Sequence, residues 1–118
     1  MLVVMLSAPF KGLSKKELAL LEAELRFTSM RLWVSGVACI CPHLNTEGFP
    51  DDPRENYLMG YEEIAKRCDA VLAAWGANSV GVQRELCAAR QRFLSLEALM
   101  QWLDAINERN KQEVRDGC

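Results

Sequence analysis

The sequence predicts a doubly wound α/β fold, in which a parallel sheet of four to five strands carries helices on both faces. Short apolar runs alternate with stretches of helical periodicity along the chain, and turn or capping residues separate them. This alternation is typical of parallel sheets with right-handed crossovers. The 118 residues are enough for one domain with its own core.

The predicted strands are continuous apolar runs, as expected for strands that are covered on both faces of a sheet. Proline or small polar residues follow them and end them. The strands are predicted at residues 1–6, 37–41 and 69–74, with a short fourth strand at 92–94.

The predicted helices begin at N-terminal signals. Ser14 and Glu17 form a capping box, Pro53 suits a first helical turn, and Ser79 has the side chain of an N-cap. Gly36 closes the first helix. The helices are predicted at residues 14–36, 53–67, 79–91 and 95–106.

Two segments stand outside this alternation. Residues 43–53 are polar and rich in glycine, proline and aspartate, which predicts a long loop of the kind that often forms a lid or a binding surface. Residues 107–118 are polar and are expected to form a fraying tail after a single domain at 1–106.

Composition and charge limit the classes of partner. Half of the residues are hydrophobic and the formal net charge is −2, so nothing predicts binding to a nucleic-acid polymer. The apolar runs are too short to span a bilayer, and the first residues lack the basic start of a signal peptide. We therefore expect a cytoplasmic protein without a membrane partner.

The cysteines predict neither a disulfide framework nor a metal centre. Their number is odd, they form no C-x-x-C pair, and no second ligand pair lies at compatible spacing. Reduced buried thiols are the expected state. The five cysteines are Cys39, Cys41, Cys68, Cys87 and Cys118.

Polar residues gather where the predicted strands end. Three segments, 7–12, 42–48 and 75–79, follow the carboxyl ends of strands. Ligands of doubly wound folds bind outside these ends, so the sequence predicts a small-molecule pocket there. A purely structural protein does not fit this concentration of polar residues.

The segment "NSVGVQRE" carries the most informative spacing, Ser-x-Gly-x-x-x-Glu from Ser79 to Glu85. A helix N-terminus has free N–H groups and suits an anion, although Ser79 alone predicts only a cap. Helical side chains lean toward the N-terminus, so Glu85 should pass over Gly81 toward the pocket. Alternatively, Glu85 is a surface residue paired with Arg84 or Arg92, and the spacing does not separate the two.

Four segments in order resemble the nucleoside 2-deoxyribosyltransferase-like family, in particular a branch of small proteins common in phages and bacteria. The resemblance covers nearly the whole chain and implies a small flavodoxin-like sheet. The segments are "SAPFKG", "GVACICPHLNT", "RCDAVLAAWGANSVGVQRE" and "FLSLEALMQWL".

The resemblance implies cleavage or transfer at the N-glycosidic bond of a nucleoside or its 5′-monophosphate, without a cofactor or metal. By motif position, Glu85 corresponds to the nucleophile. Tyr61 stands at the second catalytic position, where members often carry an acid. Ser79 resembles the nucleotide-using branch in its contact to sugar or phosphate. Lys11 replaces the usual arginine and keeps its charge.

The remaining substrate-binding candidates lie in the same loops. Ser7, Pro9 and Phe10 belong to the first-strand loop that resembles the family's. His43 is the single histidine. Three roles are open for it: contact with a ligand, replacement of the missing acid, or a hydrogen bond to local backbone. The other candidates are Asn45, which suits a turn or a ligand, and Trp75, which suits base stacking or core packing.

Two functions follow as alternatives. The first is an enzyme, an N-glycosidase or 2-deoxyribosyltransferase. The second is a binding protein that keeps the pocket but sequesters or senses a nucleotide without turnover. Tyr61 in place of an acid favours the binder, whereas Ser79, Gly81 and Glu85 favour the enzyme. The resemblance also implies a homo-oligomer, because members often complete their pocket across a subunit interface.

Overall fold

The computed structural model confirms the predicted fold class. It describes the backbone of residues 1–117 and the side chains of residues 1–112. Four parallel strands form one sheet in the order β2-β1-β3-β4, with helices on both faces. The strands are β1 (Val3–Leu6), β2 (Ala38–Ile40), β3 (Ala70–Leu72) and β4 (Arg92–Phe93). The helices are α1 (Lys15–Val34), α2 (Pro42–Asn45), α3 (Arg54–Arg67), α4 (Val80–Ala88) and α5 (Leu96–Gly117).

Strand β1 lies at the centre of the sheet, with β2 on one side and β3 on the other. Val4 pairs with Cys39 across one ladder and with Ala70 across the other. The Asp69 carboxylate accepts a hydrogen bond from the backbone N–H of Val3 at 2.7 Å, which ties the start of β1 to β3. The chain order reverses between β1 and β3, so the crevice at their carboxyl ends is where a doubly wound sheet binds ligands.

The two faces of the sheet carry separate cores. Val4 and Leu6 of β1 pack under α1 and α5, whereas Met5 faces α3 and α4. Leu25 of α1 and Leu99 of α5 are fully buried in the first core. This division places α1 and α5 on one side of the sheet and α3 and α4 on the other.

The ends of α1 form as the sequence predicts. The Ser14 hydroxyl accepts a hydrogen bond from the Glu17 N–H, and the Glu17 carboxylate accepts one from the Ser14 N–H. Gly36 has φ +85°, the left-handed conformation that ends a helix at little cost for glycine.

Two segments differ from their prediction. The predicted loop at 43–53 begins inside the short helix α2, because Pro42 is well suited to a first helical turn. The segment 107–117, which we expected to be a tail, continues α5 as helix. No helix breaker occurs before Gly117, and Lys111 pairs with Glu108 one turn away at 3.6 Å. Residue 118 lies outside the described residues.

The four cysteines that the structure describes are free thiols, and one of them, Cys87, differs from the expected burial. Cys39, Cys41 and Cys68 are buried and Cys87 is exposed, while Cys118 falls beyond the described part of the chain. Within residues 1–112, no group of three or more His, Cys, Asp or Glu side chains is arranged to hold a metal ion. Among the described residues, no helix combines the length and apolarity needed to cross a bilayer.

Candidate functional site

A cavity of about 830 Å³ opens at the carboxyl edge of the sheet, where the switch point between β1 and β3 predicts a ligand site. Its walls come from the loop after β1, from α2 and the segment after it, from one face of α3, and from the start of α4. The volume falls in the range of pockets that hold small-molecule ligands.

Seven of the residues predicted from the sequence line this cavity together. They come from loops and helices in different parts of the chain, so the fold brings together residues that are far apart in the sequence. They are Pro9, Phe10, Lys11, His43, Tyr61, Ser79 and Gly81.

Four predicted residues do not line the cavity. Asn45 is exposed at the end of α2, and Trp75 packs against the core formed with α1 and α5. Of the two interpretations of Trp75, core packing is therefore the one observed. Ser7 and Glu85 are buried and bonded to each other.

Glu85 is a buried carboxyl group held by the end of β1. Its side chain is 1% exposed, and its Oε2 accepts a hydrogen bond from the Ser7 hydroxyl at 2.9 Å. Its Oε1 is buried and has no hydrogen-bond partner among the described atoms. Burial raises the pKa of Glu85 to about 7, and the nearby Glu62 carboxylate adds to the rise, while the Ser7 hydrogen bond opposes it. Glu85 is therefore close to half ionised at neutral pH.

Arg84 does not pair with Glu85. Its guanidinium binds both carboxylate oxygens of Glu55, at 2.8 and 3.0 Å, and also contacts Glu62. These ion pairs join α4 to α3 on the outer side of both helices. The interpretation of Glu85 as a surface residue paired with a neighbouring arginine is therefore wrong.

Gly81 does not make the room for Glu85 that its spacing suggested. A Cβ at this position would lie 3.4 Å from Leu58 Cδ2 and would meet no atom of Glu85 within 4 Å. A Cβ here would make only an ordinary van der Waals contact with α3, so neither the packing of α3 on α4 nor the path of Glu85 depends on the glycine.

The N-terminus of α4 faces the cavity. The Ser79 hydroxyl accepts a hydrogen bond from the Val82 N–H at 3.1 Å, so it caps the helix as predicted. Val80 and Gly81 line the cavity, and their backbone N–H groups make no hydrogen bond within the part of the chain that the structure describes. Free N–H groups at a helix start favour an anionic ligand group.

Four aromatic rings form a row along the cavity wall. His43 stacks on Phe10 with ring centroids 4.6 Å apart, and it contacts Tyr61 on its other side at 4.3 Å. Tyr57 follows at 6.5 Å from Tyr61. Burial lowers the pKa of His43 to about 4, so the imidazole is neutral at pH 7. This wall offers aromatic surface to a flat, uncharged ligand group.

The tyrosine hydroxyls and the histidine differ in their hydrogen bonding. The Tyr61 hydroxyl is hydrogen-bonded to the Thr46 hydroxyl, and the Tyr57 hydroxyl donates to the Pro50 carbonyl at 2.6 Å. His43 Nδ1 is buried and has no partner among the described atoms. Tyr61 is therefore held in place by the segment after α2.

Charged groups occur at the cavity rim. Lys11 and Arg54 line the cavity and are exposed, and neither forms an ion pair with a described side chain. Asp51 is the one carboxylate among the lining residues within the described part of the chain. The rim and the start of α4 together give this edge a local positive field.

Sequence reasoning identified Tyr61 of α3 but missed Arg54 and Leu58 of the same helix. Arg54, Tyr57, Leu58 and Tyr61 all line the cavity and follow the spacing i, i+3, i+4 and i+7. That spacing places them on one helical face, and it is visible in the sequence once α3 is known to border the strand ends.

We expect Ser7→Ala to raise the pKa of Glu85 above about 7, because the Ser7 hydrogen bond holds it down. The variant also leaves a second buried carboxyl oxygen without a partner, which should cost about 1–2 kcal/mol of unfolding free energy. Carbon-13 NMR titration of the glutamate carboxyls and urea unfolding measure the two effects. Ser35→Ala removes an exposed hydrogen bond to Arg31 and is the control. An unmoved Glu85 titration contradicts the expectation.

Comparison with known proteins adds no family assignment. No protein-family model matches the sequence, and no curated protein matches it either.

Proposed function

We propose that this protein binds a nucleoside 5′-monophosphate in the cavity and cleaves or transfers the sugar at the N-glycosidic bond, with Glu85 as the nucleophile. The observation that carries the proposal is the state of Glu85 beside the cavity. It is buried, its pKa is about 7, and one of its oxygens has no hydrogen-bond partner among the described atoms. A perturbed carboxyl group next to a cleft is a candidate catalytic group.

The cavity walls suit the three parts of a nucleotide. Lys11, Arg54 and the free N–H groups at the start of α4 offer positive charge and donors to a phosphate. The ring row that begins at Phe10 offers a stacking surface to the base. The sugar then lies between them, beside Gly81 and Val82. Glu85 is bonded to Ser7, and the next residue, Ala8, lines the cavity.

In the proposed reaction, a Glu85 carboxylate oxygen attacks the anomeric carbon of the sugar and forms an ester. The N-glycosidic bond breaks, and its electron pair leaves with the base, which takes a proton from water. Water or a second base then attacks the same carbon, and the Glu85 carboxylate leaves. Glu85 is buried and does not line the cavity, so this step requires ligand binding to open a path to its carboxylate.

A non-catalytic binding protein is the second candidate. The burial of Glu85 favours it, because a carboxyl group bonded to Ser7 and closed off from the cavity also suits a structural role. The Tyr61 hydroxyl, which contacts Thr46, takes the place of a catalytic acid and favours the same alternative.

Incubation with a panel of nucleosides and nucleoside 5′-monophosphates separates the two candidates. Release of free base, followed by chromatography, supports the enzyme. A thermal shift with one nucleotide but no base release from any substrate supports the binder. Neither a shift nor base release from any of them rejects both.

The phosphate assignment predicts a selective loss of affinity. Lys11→Gln and Arg54→Gln should each weaken binding of the monophosphate by about tenfold, because each removes one charge-assisted contact. Affinity for the corresponding nucleoside should not change. Isothermal titration calorimetry with both ligands measures the difference. Lys16→Gln removes an exposed charge on α1, away from the cavity, and is the matched control. Equal losses for nucleoside and monophosphate contradict the assignment.

A further inference from the structure

Helix α1 is apolar on two opposite faces. Its inner face carries Leu25 and Leu32, which are fully buried against the sheet. Its outer face carries a second set of apolar side chains, called here the outer stripe, whose four large members are between 52% and 82% exposed. The outer stripe consists of Leu20, Ala23, Phe27, Met30 and Val34. A surface helix normally has a polar outer face, so these side chains indicate a partner.

The spacing of the outer stripe specifies the kind of partner. Its members follow one another at intervals of three, four, three and four residues. This is the a and d pattern of a coiled-coil heptad, in which apolar residues recur every 3.5 residues and face a second helix. The stripe extends from Leu20 to Val34, which is about four turns of α1 and enough for a helix-to-helix contact.

We infer that a second copy of this chain covers the outer stripe, with the two α1 helices packed antiparallel about a two-fold axis. A two-fold contact uses the same surface on both subunits, so the flanking charges must complement themselves. The flanking charges complement themselves in the register that sets Phe27 against Met30 of the second copy. Glu24 then faces Arg31 of the second copy, and the symmetry repeats this pair on the other side.

Two further observations support this register. The side chains of Glu24 and Arg31 make no hydrogen bond or ion pair with another described side chain, so both are available. On the opposite flank of the stripe, Arg26 faces Trp33 of the second copy, whose half-exposed indole suits a cation–π contact. The Trp33 indole N–H donates to the Cys39 carbonyl at 3.1 Å, which holds the ring in place.

A parallel arrangement lacks this complementarity. In a parallel pair, Arg26 approaches Arg31 of the second copy, which sets like charges together on both flanks. The charges around the outer stripe therefore select the antiparallel pair.

A single pair of helices buries less than the roughly 1,200 Å² that marks a standard stable interface, so the dimer should dissociate on dilution.

The inferred dimer is independent of the proposed function. Helix α1 lies on the opposite side of the sheet from α3 and α4, and none of its residues lines the cavity. Pairing through α1 therefore leaves both cavities open, each built from one chain. Nucleotide binding and dimer formation should be separable by mutation.

Charge reversal in the full-length chain tests the inference by sedimentation velocity over a range of protein concentrations. Glu24→Arg and Arg31→Glu should each weaken the dimer by about tenfold, because each turns two attractive pairs into two repulsive ones. An equal mixture of the two variants should dimerise again. In the mixed dimer, one pair joins the two introduced side chains, which have opposite charges, and the other pair keeps its natural charges. This rescue does not occur for a parallel pair or for an unrelated partner.

Phe27→Glu should abolish the dimer, and Leu94→Glu is the control because Leu94 is 64% exposed but lies off the outer stripe. Both substitutions are at exposed positions, and circular dichroism verifies that the variants fold. A wild-type chain that stays monomeric up to the highest soluble concentration overturns the inference. A mixture of the charge-reversal variants that dimerises no better than either alone also overturns it.

Discussion

Replacing Glu85 by glutamine is expected to reduce base release from a nucleoside 5′-monophosphate by on the order of 10³-fold or more, while the affinity for the nucleotide stays within a fewfold of wild type. Glutamine keeps the shape of the side chain but cannot form the ester with the sugar. Chromatography of free base measures the rate, and calorimetry measures the affinity. Glu63→Gln, which removes an exposed carboxylate of α3 paired with Arg67, is the control.

The same assignment determines the pH profile of the wild-type reaction. The nucleophile must be ionised, and the pKa of Glu85 is about 7. We therefore expect kcat/KM to rise about tenfold per pH unit below pH 7 and to level off above it. Undiminished base release by Glu85→Gln contradicts the role of Glu85. A profile that falls from pH 5 to pH 7 contradicts it as well.

Glu85→Gln is also expected to stabilise the fold, by an amount that grows with pH. The folded protein raises the pKa of Glu85 from its ordinary value of 4.5 to about 7, so it favours the protonated form. The contribution of Glu85 to the free energy of unfolding is therefore fully present below pH 4.5 and is lost as the pH rises through 7. The difference between these pKa values corresponds to about 3 kcal/mol. Glutamine does not ionise, so the variant avoids this loss.

Urea unfolding of wild type and variant at several pH values measures the effect. We expect nearly equal stability at pH 4.5 and a variant more stable by about 3 kcal/mol at pH 8. Subtracting the two curves removes the contribution of His43, whose pKa of about 4 destabilises the folded protein when the pH falls below 6.5. A difference that does not change with pH contradicts the burial of an ionisable Glu85.

These two expectations together describe a common feature of catalytic groups. A carboxyl group that is poised to react near pH 7 is held in surroundings that disfavour its charge, and this costs stability. If Glu85→Gln stabilises the protein and neither wild type nor variant releases base, Glu85 is a structural residue and the binding protein is the better interpretation.

The fold could be predicted from the sequence because its signals are local. The apolar runs, the Ser14 capping box and Gly36 each act within a few residues, and the structure has all of them. The extension of α5 to Gly117 could not be predicted, because a polar composition is also typical of a fraying tail. Polar residues can continue a helix when no breaker interrupts it.

The site could be predicted only in part. Strand ends are visible in the sequence as the points where apolar runs stop. They predict three parts of the site: the end of β1, His43 and the start of α4. The hydrogen bond between Ser7 and Glu85 joins residues 78 positions apart, and no local pattern reports it. The burial of Glu85 could not be predicted either, because glutamate is usually exposed and only the packing of α4 against the sheet places it inside.

The interpretation of Gly81 shows why spacing alone misleads. Three residues separate Gly81 from Glu85, which suggested that the glycine makes room for the carboxylate. The structure places Leu58 of α3 there instead, at 3.4 Å from where a Cβ would stand. The partner of a helix face is set by the fold, and the sequence of that helix does not contain it.

Intact-mass spectrometry during turnover tests the central claim most directly. Acid quenching of the wild-type protein with a nucleoside 5′-monophosphate should reveal a fraction heavier by one sugar phosphate, and peptide mapping should place the added mass on Glu85. The Glu85→Gln protein should carry no such mass. Release of base without any adduct on Glu85, at a rate that Glu85→Gln leaves unchanged, would contradict the account.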